Sequence, residues 1–172
     1  LAEATSRRGL QDGYAKLYMQ ARDSGALRWF DKTPQNIYGI LLLSAVYPDA
    51  KFVHIVRHPL NVVSSLRAGK VMGPHTLQAG INTWSEAVSI AAKFQSAWPD
   101  RIHTLTYENL TTSPKSALHT LLDFLGEAAT SNPFDVSQVH PEKNLHEEQL
   151  SESERVMIRE QLAAEMTYYG YV

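Results

Sequence analysis

Phe52-Val-His-Ile-Val-Arg57-His-Pro59-Leu-Asn-Val-Val-Ser64-Ser65-Leu66 is an apolar run that ends in an arginine, followed by a proline that opens an amphipathic segment. Phe52 to Val56 is short, rich in β-branched residues and bounded by polar residues and proline, which predicts a buried strand. Pro59 suits the first position of a helix, with His58 before it as the cap. Leu60, Val63 and Leu66 then carry an apolar stripe along that helix. A strand running into a helix puts Arg57 at the carboxyl edge of a sheet, where open α/β folds bind ligands. Ser65 falls about 9 Å along the helix from Pro59, beyond the free N–H groups of the first turn. It can instead face an arginine folded back along the helix flank. An anion held between guanidinium and hydroxyl fits that pair. A surface arginine and a serine bonded to its own helix fit the same residues.

Segments on either side of this stretch narrow the choice. Upstream, Asp31-Lys32-Thr33-Pro34 precedes an apolar run from Ile37 to Val46, and Pro48-Asp49-Ala50-Lys51-Phe52 leads into the strand. Downstream, Tyr107-Glu108-Asn109-Leu110 lies close to Ser113-Pro114 and Phe124-Leu125-Gly126. In this order and spacing, and with Arg57-His58-Pro59 and Ser65 between them, these pieces resemble the sulfotransferases that use 3′-phosphoadenosine 5′-phosphosulfate. The resemblance covers residues 28 to 126 and is to the Lys-Thr-Pro type, similar to bacterial and heparan sulfate O-sulfotransferases. It implies a P-loop NTPase-like, three-layer α/β fold with a parallel sheet, and transfer of a sulfuryl group to an acceptor hydroxyl. It further implies that Arg57 and Ser65 hold the 3′-phosphate of the nucleotide, that Lys32 sits near the transferring group as the catalytic residue, and that Tyr107 lies near the adenine. The donor would be a co-substrate, with no metal, and the acceptor a small molecule or glycan.

The chemistry asks for these residue types. Moving a sulfuryl group off a phosphosulfate leaves charge on the departing phosphate, so positioning and electrostatic stabilisation carry most of the catalysis, as in phosphoryl transfer. A lysine aimed at the bridging oxygen supplies a point charge where negative charge develops. An arginine further off anchors the nucleotide. Lys32 beside Asp31 also fits a solvated or ion-paired lysine. The chain departs from the family at the 5′-phosphosulfate loop, a glycine- and serine- or threonine-rich basic turn after the first strand. Gly69-Lys70 does not replace it, since Ser64 stands where such a loop needs an earlier glycine and Val71 takes the hydroxyl position. With Leu1 at its start, the chain is expected to be the carboxyl-terminal portion of a longer enzyme, lacking the first strand and that loop.

The sequence has 172 residues, enough for one domain, and a formal charge of −2, so nothing points to bulk attraction to nucleic acid or anionic membrane. No stretch of about 18 apolar residues appears, which predicts no membrane span, and a cytoplasmic location is expected. No cysteine is present, so there is no disulfide or thiolate site.

Periodicity predicts a helix over residues 5 to 24 stopped by Gly25, and a short strand from Leu27 to Phe30. A helix from Pro34 through Val46, strand 52 to 56 and helix 59 to 68 follow. Gly69 to Pro74 reads as a loop. Thr76 to Trp98 is a long helix with Leu77, Ile81, Trp84, Val88, Ala91 and Phe94 at core spacing. Arg101 to Tyr107 is a further strand, and Ser113-Pro114 caps a helix ended by Gly126. Residues 127 to 150 are polar and irregular. Ser151 with Glu154 forms a capping box for a last helix through Tyr169. His140 and His146 lie among acidic residues without a standard metal-ligand spacing; His140, Lys143 and His75 stay open as ligand contacts. Tyr168 to Tyr171 reads as docking for the last helix. A nucleotide kinase-like phosphotransferase and a non-catalytic nucleotide-binding remnant remain alternatives to the sulfotransferase.

Overall fold

The computed structural model describes residues 6–21, 28–69, 76–127 and 135–172. The chain divides into two compact units, Leu1–Ala50 and Lys51–Val172.

The second unit grows from the strand–helix turn. β1 (Phe52–Val56) pairs in parallel with β2 (Ile102–Thr106), Phe52 opposite Ile102 and Val56 opposite Thr106. Alternation along β1 turns Phe52, His54 and Val56 inward and leaves Val53 and Ile55 exposed. α3 (Pro59–Ala68) starts where proline is preferred, with the His58 ring accepting the Leu60 N–H at 3.3 Å. α4 (Leu77–Ala97) is capped by Thr76, whose hydroxyl accepts the Ala79 N–H. It crosses α3 closely because Gly80 has no side chain: a Cβ there would stand 3.2 Å from Val63 Cγ1. α5 (Tyr107–Thr112) and α6 (Pro114–Leu125) follow β2, and α6 stops at Gly126, whose φ of +73° favours glycine.

Helices lie on both faces of β2. On one, Thr104 donates its hydroxyl to Gln95 of α4 at 3.0 Å. On the other, His103 stacks on Phe124 of α6 with ring centroids 5.3 Å apart. This is the layered α/β arrangement the sequence predicts, with a parallel sheet of two strands among the described residues.

The carboxyl-terminal helices are α7 (His146–Gln149), α8 (Glu152–Gln161) and α9 (Ala163–Tyr168), and the core joins the start of α3 to α4, α8 and α9. Leu60, Val63, Ile81, Trp84, Val88, Ile158, Leu162 and Met166 pack as one buried cluster. Ser151 and Glu154 close the capping box expected of them. Tyr169 docks the last helix by donating its hydroxyl to the Val88 carbonyl at 3.2 Å.

Within Leu1–Ala50 the described elements include α1 (Arg7–Ala21) and α2 (Ile40–Val46), and residues 28–33 have no regular structure. Tyr47 donates its hydroxyl to Gln11 at 2.9 Å and takes the Trp29 ring edge-on at 5.9 Å.

Several expectations need correction. Arg28 to Phe30 form no strand, since no neighbouring strand supplies ladder bonds among the described residues. The helix from Pro34 begins as a 3₁₀ helix, Pro34–Gly39, before α2. Ser113 precedes α6 without a side-chain cap bond. The last helix is interrupted at Leu162, with φ −111° and ψ 14°. The polar segment before Ser151 contains the short helix α7. Gly25, Leu27, the loop beyond Gly69 as far as Pro74, and His75 lie outside the described residues. No helix among the described residues is long and apolar enough to cross a membrane.

Candidate functional site

At the end of β1 the chain passes from Val56, 2% exposed, to Arg57, whose side chain is 34% exposed. Three elements fix that step. Trp84 of α4 donates its indole N–H to the Arg57 carbonyl at 3.0 Å. Glu108 of α5 accepts the His58 N–H at 2.9 Å, and its other oxygen accepts the Tyr171 hydroxyl at 2.9 Å. Burial, and then the Glu108 charge, push the Tyr171 phenol well above its ordinary range, so it remains a donor. The turn that carries Arg57 is therefore held from α4, α5 and the end of the chain.

The Arg57 side chain reaches over the ring of Tyr107, its guanidinium carbon 5.0 Å from the centroid. It also forms a two-pronged ion pair with Glu142: Nε lies 2.5 Å from Oε2 and Nη2 lies 2.8 Å from Oε1. Those hydrogen bonds hold the Glu142 carboxyl below the usual range and raise Arg57 further. Glu142 sits in the irregular segment before α7, two residues before Asn144, whose φ is +51°.

Beside the ion pair opens a pocket of about 300 Å³ lined by Arg57, Asn61, Ser64, Ser65, His146 and Gln149, among others. Arg57 and Ser65, paired by spacing in the sequence, line this one pocket. Ser65 is exposed, whereas its neighbour Ser64 is 2% exposed and donates its hydroxyl to Gln149. Asn61 donates its amide to Asn144 at 3.2 Å, so its Oδ1 accepts from His146 Nδ1 at 2.6 Å. That bond leaves His146 Nε2 as an acceptor. His146 stacks on His58 with ring centroids 6.0 Å apart, and burial keeps both imidazoles below their ordinary value.

Tyr107 is the first residue of α5 rather than the last of β2, and it supports Arg57 from below. Lys32 belongs to the other compact unit, exposed in the irregular stretch ahead of Pro34. The carboxylate of its neighbour Asp31 accepts from the Thr33 hydroxyl and the Asn36 amide, each at 2.8 Å. His140 and Lys143 are exposed. The structure adds four residues that the sequence reading did not assign to the site: Glu142, Glu108, Asn61 and Gln149. His146 gains a definite place in it. Glu108 stood inside a recognised motif and so carried a signal; Glu142, 85 residues from Arg57, carried none.

Residues 2–131 match the sulfotransferase family. A 109-residue stretch is 28% identical to an uncharacterized protein of Aquifex aeolicus (strain VF5), covering 59% of this chain and 14% of that protein. Two solved structures are similar. The sulfotransferase domain from the curacin biosynthetic pathway has a TM-score of 0.55 at 20% identity, covering 86% of this chain and 67% of that domain. The sulfotransferase domain from the Synechococcus PCC 7002 olefin synthase has a TM-score of 0.59 at 22% identity, covering 88% of this chain and 63% of that domain. At these identities the likeness is one of fold. The chain spans 14% of the Aquifex protein.

Proposed function

Since the chain belongs to the sulfotransferase family, we propose that its Arg57 pocket binds the 3′-phosphate of 3′-phosphoadenosine 5′-phosphosulfate in a protein that transfers the sulfuryl group to an acceptor hydroxyl. The observation that carries this reading is one arginine, fixed at a strand's carboxyl edge by backbone-directed bonds, facing the same pocket as the serine eight residues on. Arg57 supplies parallel N–H donors for a phosphate, and Ser65 a hydroxyl. Tyr107, which carries the guanidinium on one face of its ring, is the residue that the family resemblance would set near the adenine. A pocket of about 300 Å³ is at the small end for ligand sites, room for part of a nucleotide.

In the transfer, an acceptor oxygen forms a bond to sulfur while the bond from sulfur to the bridging phosphate oxygen breaks. The electron pair leaves on that oxygen, making adenosine 3′,5′-bisphosphate, and the acceptor's proton passes to a base or to water. Lys32 would stabilise the charge growing on the bridging oxygen. Lys32→Ala should then lower the turnover of the active enzyme more than its affinity for the nucleotide.

A second reading is favoured by the Arg57–Glu142 ion pair, which satisfies the arginine internally. On that reading the domain keeps the fold and Arg57 serves stability alone. Calorimetric titration with adenosine 3′,5′-bisphosphate, 5′-AMP and ATP separates the possibilities. Binding that requires the 3′-phosphate supports donor recognition. Preference for ATP selects a kinase-like phosphotransferase, and no binding selects the structural role.

A further inference from the structure

We infer that Glu142 is an internal competitor for Arg57, an affinity-determining carboxylate that the 3′-phosphate must displace and that returns to speed nucleotide release. This rests on the reading of Arg57 as the phosphate anchor. A carboxylate and a phosphate ask the same thing of a guanidinium, two parallel N–H donors on one edge. Glu142 takes both Nε and Nη2. An incoming phosphate therefore either takes over those donors or settles in the pocket beside a fixed negative charge. Either way the carboxylate opposes binding.

The way Glu142 is held fits such an exchange. Its segment, residues 135–145, has no helix or strand to anchor it. Near Glu142 it is pinned by side-chain contacts at the pocket wall: Asn144 accepts from Asn61, and His146 donates to Asn61. Asn144, with φ +51°, makes the turn that brings Glu142 back over Arg57, a conformation that asparagine tolerates better than most residues. By contrast, the backbone beneath Arg57 is bonded to Glu108 and Trp84, so the anchor stays in place while the segment above it exchanges. When product leaves, the carboxylate reclaims the donors that the phosphate vacates. Release then does not strand an unpaired, part-buried arginine.

The test is titration and stopped-flow release of adenosine 3′,5′-bisphosphate with the wild-type chain, Glu142→Gln, Glu142→Asp and Glu148→Gln. Glu142→Gln keeps the shape and removes the charge. It should tighten binding about tenfold, since a hydrogen-bonded charge pair no longer has to be broken, mostly through slower release. Glu142→Asp, with a shorter arm, should shift affinity the same way by less. Glu148→Gln removes an equal charge from an exposed residue of α7 and should leave affinity unchanged. If the wild-type chain binds with 3′-phosphate dependence and Glu142→Gln binds no tighter, the competitor role is overturned while the donor site stands. Equal tightening in Glu148→Gln also overturns it, because diffuse charge would then explain the effect. Absence of 3′-phosphate-dependent binding in both the wild-type chain and Glu142→Gln overturns the donor site along with it.

Discussion

Two carboxylates flank Arg57-His58 and are held in opposite ways. Glu108, below the turn, accepts a backbone N–H and a part-buried tyrosine hydroxyl, both from groups of the protein itself. Glu142, above it, is paired with a guanidinium whose donors any anion of matching shape can claim. The lower region is frame and the upper region is rim. A site that must hold still and also exchange a ligand needs both, with bonds between its own fixed groups beneath and a replaceable charge-to-charge pair on top.

The contrast is broken most severely by Trp84→Ala. Trp84 is 4% exposed, packs in the central cluster and bonds the Arg57 carbonyl. Thermal and urea unfolding should show a loss of about 3–5 kcal/mol, and a variant as stable as wild type would mean the frame does not run through α4. Next is acid sensitivity within the frame. Burial holds the His54 imidazole down to about 4, against 6.5 in the unfolded chain. As pH falls below 6.5 the unfolded chain takes up the proton first, so stability present above that pH is lost between 6.5 and 4. The loss is on the order of 3 kcal/mol at full protonation, and His54→Gln should flatten the pH dependence of unfolding across that window. Smaller still is the direct comparison of the two carboxylates. Glu108→Ala should destabilise by about 1–3 kcal/mol because it orphans a part-buried N–H and hydroxyl. Glu142→Ala, at a partly solvated pair, should lose less than about 1 kcal/mol. Equal losses would erase the distinction between frame and rim.

Much of the frame was legible in the sequence because its signals are local. Proline at the first helical position and β-branched residues before it place β1 and α3 at the observed bounds, Phe52–Val56 and Pro59–Ala68. Core spacing in α4 identifies Trp84 as packing, which its burial bears out. The capping box at Ser151 likewise depends on two residues three apart. The misses are non-local or lack a marker. Arg28 to Phe30 have strand-like composition, but pairing depends on a neighbour the local sequence does not specify. The interruption at Leu162 involves neither glycine nor proline, so no breaker announces it. Glu142 belongs to a polar stretch with several acids, and only the fold selects which of them meets Arg57. Asn61 did carry a signal: it is a polar residue among the apolar positions at the start of α3, and it is 4% exposed.

The central claim is that Arg57 anchors a 3′-phosphorylated nucleotide from a rigid turn. Calorimetric titration of adenosine 3′,5′-bisphosphate into the wild-type chain and Arg57→Ala tests it most directly, with unfolding midpoints measured on both. The account predicts affinity weaker by about a hundredfold in Arg57→Ala, from the loss of charge-assisted hydrogen bonds, with stability changed little. Equal affinity in the two proteins would contradict it.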